Sequence, residues 1–256
     1  MEVKEKLAKV IAFSNHKGGV GKTCSACNIG AGLARKGKKI LLVDIDPQAN
    51  LTASLGLNVG ESNVYQLLLK NCAPEQTIYN VYENIDIIPG TLDLAGAEIE
   101  LSVEIGREKL LGKALKSILH KYDYVLIDCP PSLGILTTNA LAFADEVIIP
   151  LSAEPLSMQG VEKLVQIIEK VQDSVNTDLK LGGVLITRFD GRKILNKELA
   201  EVIEDFFKET TFKTRIRDNV SLAEAPHSKK DIFRYSAKCN GALDYESVCE
   251  ELLMRN

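Results

Sequence analysis

The stretch Asn15-His16-Lys17-Gly18-Gly19-Val20-Gly21-Lys22-Thr23-Cys24 constrains this chain more than any other. An apolar run, Lys9-Val10-Ile11-Ala12-Phe13-Ser14, leads into it, and a helical pattern from Thr23 to about Lys36 leads out. Strand, glycine loop and helix in that order are the context of a phosphate-binding loop. The glycines let backbone N–H groups turn inward around oxygen atoms with no Cβ in the way. The helix opening at Thr23 adds the positive end of its dipole. In such a loop Lys22 sits on the β- and γ-phosphates and the Thr23 hydroxyl ligates Mg²⁺. The candidate nucleotide cradle is therefore Lys17, Gly18, Gly19, Val20, Gly21, Lys22, Thr23 and Cys24.

The general pattern G-x-x-x-x-G-K-[ST] asks for glycine where this chain has His16. Residues 17–23 instead spell K-G-G-x-G-K-T, with an extra lysine at Lys17. That form resembles the deviant Walker A motif of the family that includes ParA/Soj partition ATPases, MinD and the nitrogenase iron protein. The resemblance implies that Lys17 reaches across a dimer to the partner's nucleotide.

Two further stretches point to the same place. Residues 38–44 read as a buried strand after Gly37, and the chain continues Asp44-Ile45-Asp46-Pro47-Gln48. Carboxylates leaving a strand tip beside a phosphate loop suit Mg²⁺ with its waters and an attacking water. The spelling D-x-D-P-Q resembles the second signature of ParA/Soj proteins. It implies that Asp46 places the hydrolytic water, acting with Lys17 and Lys22 in catalysis, and that Asp44 supports the Mg²⁺ shell. Tyr124-Val125-Leu126-Ile127-Asp128 is a buried strand ending in an acid, followed by Pro130-Pro131-Ser132-Leu133. It fits a Walker B element in which Asp128 holds a Mg²⁺-bound water.

The alternation continues to the end of the chain. Helices are expected at Val64–Leu69, within 91–101, over 104–120, near Leu133–Phe143, about Ser157–Val171 and over Ala242–Asn256. Strands are expected at Ile85–Pro89, Glu146–Leu151 and 180–187. The helix at 104–120 places Ile105, Leu110, Leu111, Leu115, Ile118 and Leu119 on one face, and the C-terminal helix packs on the sheet. Residues 51–101 read as an insertion covering the nucleotide edge. The fold expected is α/β: one P-loop NTPase domain over 1–256, a mostly parallel twisted sheet with helices on both faces. Ligands of such sheets sit at the C-terminal strand ends, where residues 17–23, 44–48 and 128–132 all fall.

With 256 residues, 45% hydrophobic and 26% charged, the chain can bury one sizeable core. A net charge of −4 leaves DNA binding to a local basic face. Residues 187–238 carry twelve Lys/Arg against nine Asp/Glu, so the remainder stands at −7. Clusters at Arg188, Arg192 and Lys193, at Lys213, Arg215 and Arg217, and at Lys229, Lys230 and Arg234 suit non-specific binding to DNA phosphates. They equally suit a solvated helix face. Arg217-Asp218-Asn219-Val220-Ser221-Leu222-Ala223-Glu224-Ala225-Pro226 resembles the ParA/Soj segment I-P-R-N-V-R-L-x-E-A-P, which closes over adenine and supplies DNA-binding arginines. The resemblance gives Asn219 a base contact. The family's arginine positions are Asp218 and Ser221 here, so the arginine roles carry over only if Arg215 and Arg217 substitute from nearby, with Arg217 also near the nucleotide and Arg188 and Arg192 as further candidate DNA contacts.

Six cysteines, including Cys24 and Cys27, show no zinc spacing, and Cys24 and Cys27 read as small buried side chains. The charged start (Glu2, Lys4, Glu5, Lys6) argues against a secretory signal, and no stretch approaches membrane-spanning length. A cytoplasmic, nucleoid-associated protein is expected. The resemblance implies ATP/ADP and Mg²⁺ as ligands, a homodimer with ATP, non-specific DNA binding and a ParB-like partner that triggers hydrolysis. A MinD-like membrane ATPase shares the loop but ends in a basic amphipathic helix, whereas this chain ends in an acidic one. An iron–sulfur carrier needs placed cysteine ligands. A ParA-like ATPase that positions protein cargo, or a silent nucleotide-dependent scaffold, completes the set of readings.

Overall fold

Short strands that are apolar on both sides need cover on both faces, and this chain supplies it with helices. The computed structural model describes residues 8–154 and 161–255. Glu2, Lys4, Glu5 and Lys6, the start of the helix expected from Ser157, and Asn256 lie outside the described residues. The elements are β1 (Lys9–Phe13), α1 (Lys22–Arg35), β2 (Ile40–Asp44), α2 (Asn50–Ser54), α3 (Val64–Leu68), β3 (Tyr79–Tyr82), β4 (Ile85–Ile88) and α4 (Leu94–Glu100). They continue with α5 (Leu110–Leu115), β5 (Tyr124–Asp128), α6 (Ile135–Phe143), β6 (Glu146–Ser152), α7 (Val161–Ser174) and β7 (Lys180–Thr187). The chain closes with α8 (Ile194–Phe207), α9 (Val220–His227), α10 (Ile232–Ser236) and α11 (Asn240–Arg255).

The strands form one sheet in the order β3-β4-β2-β5-β1-β6-β7. Every pairing is parallel except β3 on β4 at the edge. Successive residues feed opposite cores. In β1, Val10 and Ala12 face one layer while Ile11 and Phe13 face the other; β2 divides Leu41 and Val43 from Ile40 and Leu42 in the same way. The first layer packs α3 to α8 on the sheet, and the second packs α1 and α9 to α11. Helix α1 lies close to the sheet because its inward face is small. A Cβ at Gly30 would come within 2.9 Å of Leu42 Cδ2, and one at Gly32 within 2.5 Å of Cys249 Sγ.

Two expectations need correction. The helix expected over 104–120 is broken: α5 covers only Leu110–Leu115, with 3₁₀ turns at Arg107–Lys109 and Lys116–Lys121. Gly106 takes φ +67°, which ends any helix running through it, and Ile105 is 96% exposed rather than on the buried face. The C-terminal helix α11 packs mainly on α1 and reaches the sheet's core through it. Helix α2 and the edge strand β3 were not anticipated.

Gly183 in β7 lies against the buried ring of Phe212, where a Cβ would overlap ring carbons. Gly183→Ala is expected to cost about 1–3 kcal/mol in urea unfolding, the usual range for overpacking. An unchanged midpoint would mean that the ring moves aside freely.

Candidate nucleotide site

Parallel pairing brings three strand ends into line. Phe13 pairs with Asp128, and Asp128 with Asp44, so the loop after β1 and the acids ending β5 and β2 meet at one edge. Between β1 and α1 the chain turns through Gly19 (φ +73°) and Gly21 (φ +88°), conformations that strain any other residue. Asn15 holds the loop at its base: its Nδ2 donates to the Pro150 carbonyl at 2.7 Å, and its Oδ1 accepts the Lys17 N–H at 3.0 Å. The Thr187 hydroxyl, at the end of β7, donates to the Val20 carbonyl at 2.8 Å. Sequence reasoning did not single out Asn15 or Thr187. Their signal is a polar residue closing an apolar strand.

A cavity of about 460 Å³ opens above this loop. Gly18, Gly19, Gly21, Lys22, Thr23 and Cys24 form its floor. Asp46 and Gln48 line one side, and Leu222, Ala225, Pro226 and Lys230 the other. Of the loop residues expected in the cradle, Val20 is buried behind the wall and Lys17 leans outward, its Nζ 3.9 Å from Glu154. The structure does not bring Arg217 or Asn219 into the cavity wall. Arg217 is clamped by Asp244 through contacts of 2.6–3.1 Å, and the Asn219 side chain accepts the Ser221 N–H as the cap of α9. The segment reaches the cavity one turn later, through Leu222 and Pro226.

Beneath the cavity stands a buried charge cluster. Asp44 is fully buried; its Oδ2 accepts from the Thr52 N–H and hydroxyl at 2.9 and 2.7 Å, and its Oδ1 from the Asp46 N–H at 3.2 Å. Burial still lifts its pKa to about 6, against the restraint of the Thr52 bonds. Asp44 therefore braces the Asp46 loop as well as adding charge. Asp46 Oδ1 accepts the Gln48 N–H at 2.9 Å. Asp128 is also fully buried, and neither of its oxygens accepts a hydrogen bond of ordinary geometry among the described residues, although the Thr23 hydroxyl lies near enough to act on it. Burial first, then the charge of Asp44, push its pKa well above the usual carboxylate range; the Thr23 hydroxyl and Lys22 pull it back only in part. Burial draws the Lys22 ammonium below its ordinary value, opposed mainly by Asp128. With the cavity open, Lys22 Nζ donates to the Lys17 carbonyl at 3.4 Å.

An orphaned, buried carboxylate beside a hydroxyl and a glycine loop fits a hard cation. No group of three or more His, Cys, Asp or Glu side chains among the described residues forms a ligand cage. Mg²⁺ needs no such cage, because it keeps several waters and leans on substrate phosphates. Thr23 and Asp128 would hold it, with Asp44 behind.

The four arginines expected to face DNA are all paired. Arg188 meets Glu154 at 3.4 Å, Arg192 meets Asp190 at 2.9 Å, Arg215 meets Glu204 at 2.7 Å and Arg217 meets Asp244 at 2.6 Å. Each brings an acid to the surface it was expected to make positive. The six cysteines are free thiols, Cys27, Cys129 and Cys249 among them buried. No helix among the described residues is long and apolar enough to cross a membrane.

This geometry defines a P-loop nucleotide-binding domain. A family model described as an AAA domain matches residues 8–181. The chain is 44% identical over 249 residues to the sporulation initiation inhibitor protein Soj of Bacillus subtilis, covering 96% of this chain and 98% of that protein. It is 44% identical over 251 residues to the chromosome-partitioning ATPase Soj of Treponema pallidum, covering 98% and 99%. Among solved structures, a cobyrinic acid a,c-diamide synthase from Mycobacterium smegmatis, with bound ATP analogue and magnesium, superposes with a TM-score of 0.86 at 36% identity, covering 96% and 95%. The chain belongs to the Soj/ParA family of chromosome-partitioning ATPases.

Asp44 and Asp128 both have folded pKa values above their unfolded ones, so without a cation the fold loses stability as pH rises from about 4, through about 6 for Asp44 and further on for Asp128. Protons and a cation compete for the same oxygens. With ADP present, Mg²⁺ is expected to raise the melting temperature by several degrees at pH 8 and by much less at pH 5.5. Equal shifts at the two pH values would remove these carboxylates from the cation site.

Proposed function

We propose that this chain is a Mg²⁺-dependent ATPase that partitions DNA, switching between an ATP-bound dimer and a released ADP form. The observation that carries the reading is the partnerless carboxylate of Asp128 under the glycine loop, flanked by Lys22 and Thr23. Chromosome-partitioning relatives aligned over nearly the whole chain support the cargo. Mg²⁺, held by Thr23 and Asp128, would supply positive charge to the phosphates.

Each residue then has a task. The N–H groups of residues 18–23 and the start of α1 hold phosphate oxygens. Lys22 leaves the Lys17 carbonyl for the β- and γ-phosphates, where its charge counters the charge that moves in the transition state. Asp46, on the cavity wall and fixed by the Gln48 N–H, orients the attacking water and accepts its proton. Lys17 lies outside the cavity lining with its Nζ 3.9 Å from Glu154, and it exchanges that long pairing for a partner's γ-phosphate. The γ-phosphate therefore selects the dimer, and hydrolysis releases it. The ATP dimer binds DNA non-specifically, and a ParB-like protein stimulates hydrolysis.

Lys17→Ala is expected to abolish hydrolysis while leaving nucleotide binding within a few-fold; unchanged turnover would rule out the action across the dimer. Co-sedimentation with DNA in ATP, ADP and no nucleotide tests the cargo. Retention only with ATP is expected, and equal retention in all three states would separate DNA binding from the nucleotide switch.

A further inference from the structure

We propose that the DNA-binding surface of this chain is the face formed by Lys229, Lys230, Arg234, Lys238 and Arg35, rather than the arginines of residues 188–217. The inference rests on the partitioning reading and names the part of the protein that meets the partner.

The basic clusters differ in which of their cations are free. Arg188, Arg192, Arg215 and Arg217 each hold a carboxylate. Helix α8, on the same side of the sequence, adds Glu198, Glu201 and Asp205 at its surface. An acid beside each arginine keeps the local potential low and repels an incoming phosphate. Residues 227–238 differ. They hold four Lys/Arg and a single acid, Asp231. Asp231 is buried and spent: its Oδ1 caps α10 through the Phe233 and Arg234 N–H groups, and its Oδ2 accepts the Tyr82 hydroxyl at 2.7 Å. Lys229, Lys230, Arg234, Lys238 and Arg35 are all exposed, and none makes an ion pair among the described residues.

These cations are also held in place and connected. The Arg234 guanidinium lies 4.5 Å over the Tyr82 ring, and that of Arg35 5.0 Å over Phe233. Both line one cleft between the end of α1, the β3–β4 turn and α10, which holds one exposed acid, Glu83, against the five cations of the face. Lys229, itself at φ +54° and exposed, packs its aliphatic stem against Gly56. Lys230 lines the nucleotide cavity. One short segment thus borders the candidate nucleotide cavity near its first end and carries unpaired positive charge along the rest. The partner is a duplex phosphate backbone rather than a membrane, because a membrane-binding face needs exposed apolar side chains. The large apolar residues of this segment, Ile232 and Phe233, are buried.

Counterion release makes the test quantitative, since each neutralised phosphate adds about 0.9 to the slope of log K against log salt. The triple variant Lys229→Gln, Arg234→Gln, Lys238→Gln is expected to lower that slope by roughly 2.7 and weaken low-salt DNA binding at least about tenfold. Its basal ATPase rate should stay unchanged, which also shows that it folds. Arg188→Gln with Arg192→Gln is expected to bind as the wild type does. The charge-preserving variant Lys229→Arg, Arg234→Lys, Lys238→Arg should restore both slope and affinity. Wild-type affinity in the triple Gln variant would overturn the inference and leave partitioning standing. Wild-type protein that ignores DNA in every nucleotide state would overturn both. Capture by vesicles containing anionic lipid, without DNA binding, would reassign the face to a membrane and overturn the inference as stated.

Discussion

Asp44 and Asp128 sit side by side on neighbouring parallel strands, both removed from water, and the rest of the site is arranged around the charge this leaves. Burial raises the pKa of both; the charge of Asp44 raises that of Asp128 further, and the charge of Asp46 that of Asp44. Asp44 satisfies its oxygens within the chain, through Thr52 and the Asp46 N–H. Asp128 does not. The unsatisfied oxygens, the Thr23 hydroxyl and Lys22 therefore make a place whose electrostatics are completed only by a ligand that brings both cation and phosphate. Desolvating these groups costs stability, and binding offsets that cost.

Holding such a cluster requires a rigid surround. The strands that end in Asp44 and Asp128 are buried on both faces, so their register cannot slip without exposing one core. Helix α1 approaches closely because Ala26, Gly30 and Gly32 present little bulk to the sheet and to α11. Tyr245 of α11, almost fully buried, sets its hydroxyl 3.2 Å from Ser25 Oγ in the first turns of α1. The C-terminal helix is thus tied to the phosphate loop itself. Thr187 ties β7 to the same loop through the Val20 carbonyl, and the next residue, Arg188, pairs with Glu154, which also faces Lys17.

Much of this was legible in residue order alone. The loop 17–23, the acids at 44, 46 and 128, and the parallel sheet all follow from apolar runs that end in glycine or carboxylate. What stayed hidden depended on contacts distant in sequence. Arg217 looked available until Asp244, on another helix, closed on it. Glu154 carries no pattern, yet it engages both Lys17 and Arg188. The edge strand β3 escaped because Tyr79–Tyr82 is four residues long, half-exposed, and includes the exposed Asn80. The run over 104–120 looked like one helix by spacing, but Gly106 at positive φ divides it. Paired arginines in turn shift attention to Lys229, Arg234 and Lys238, which sequence clustering ranked no higher than the others.

The central claim is that an unsatisfied carboxylate and a buried lysine wait for a metal-bound triphosphate. Calorimetric titration of a non-hydrolysable ATP analogue, with and without Mg²⁺, into wild-type protein and Asp128→Asn tests it most directly. Tight binding that depends on Mg²⁺ in the wild type and loses that dependence in Asp128→Asn is the result this account predicts. Equal affinity with and without Mg²⁺ in the wild type would contradict it.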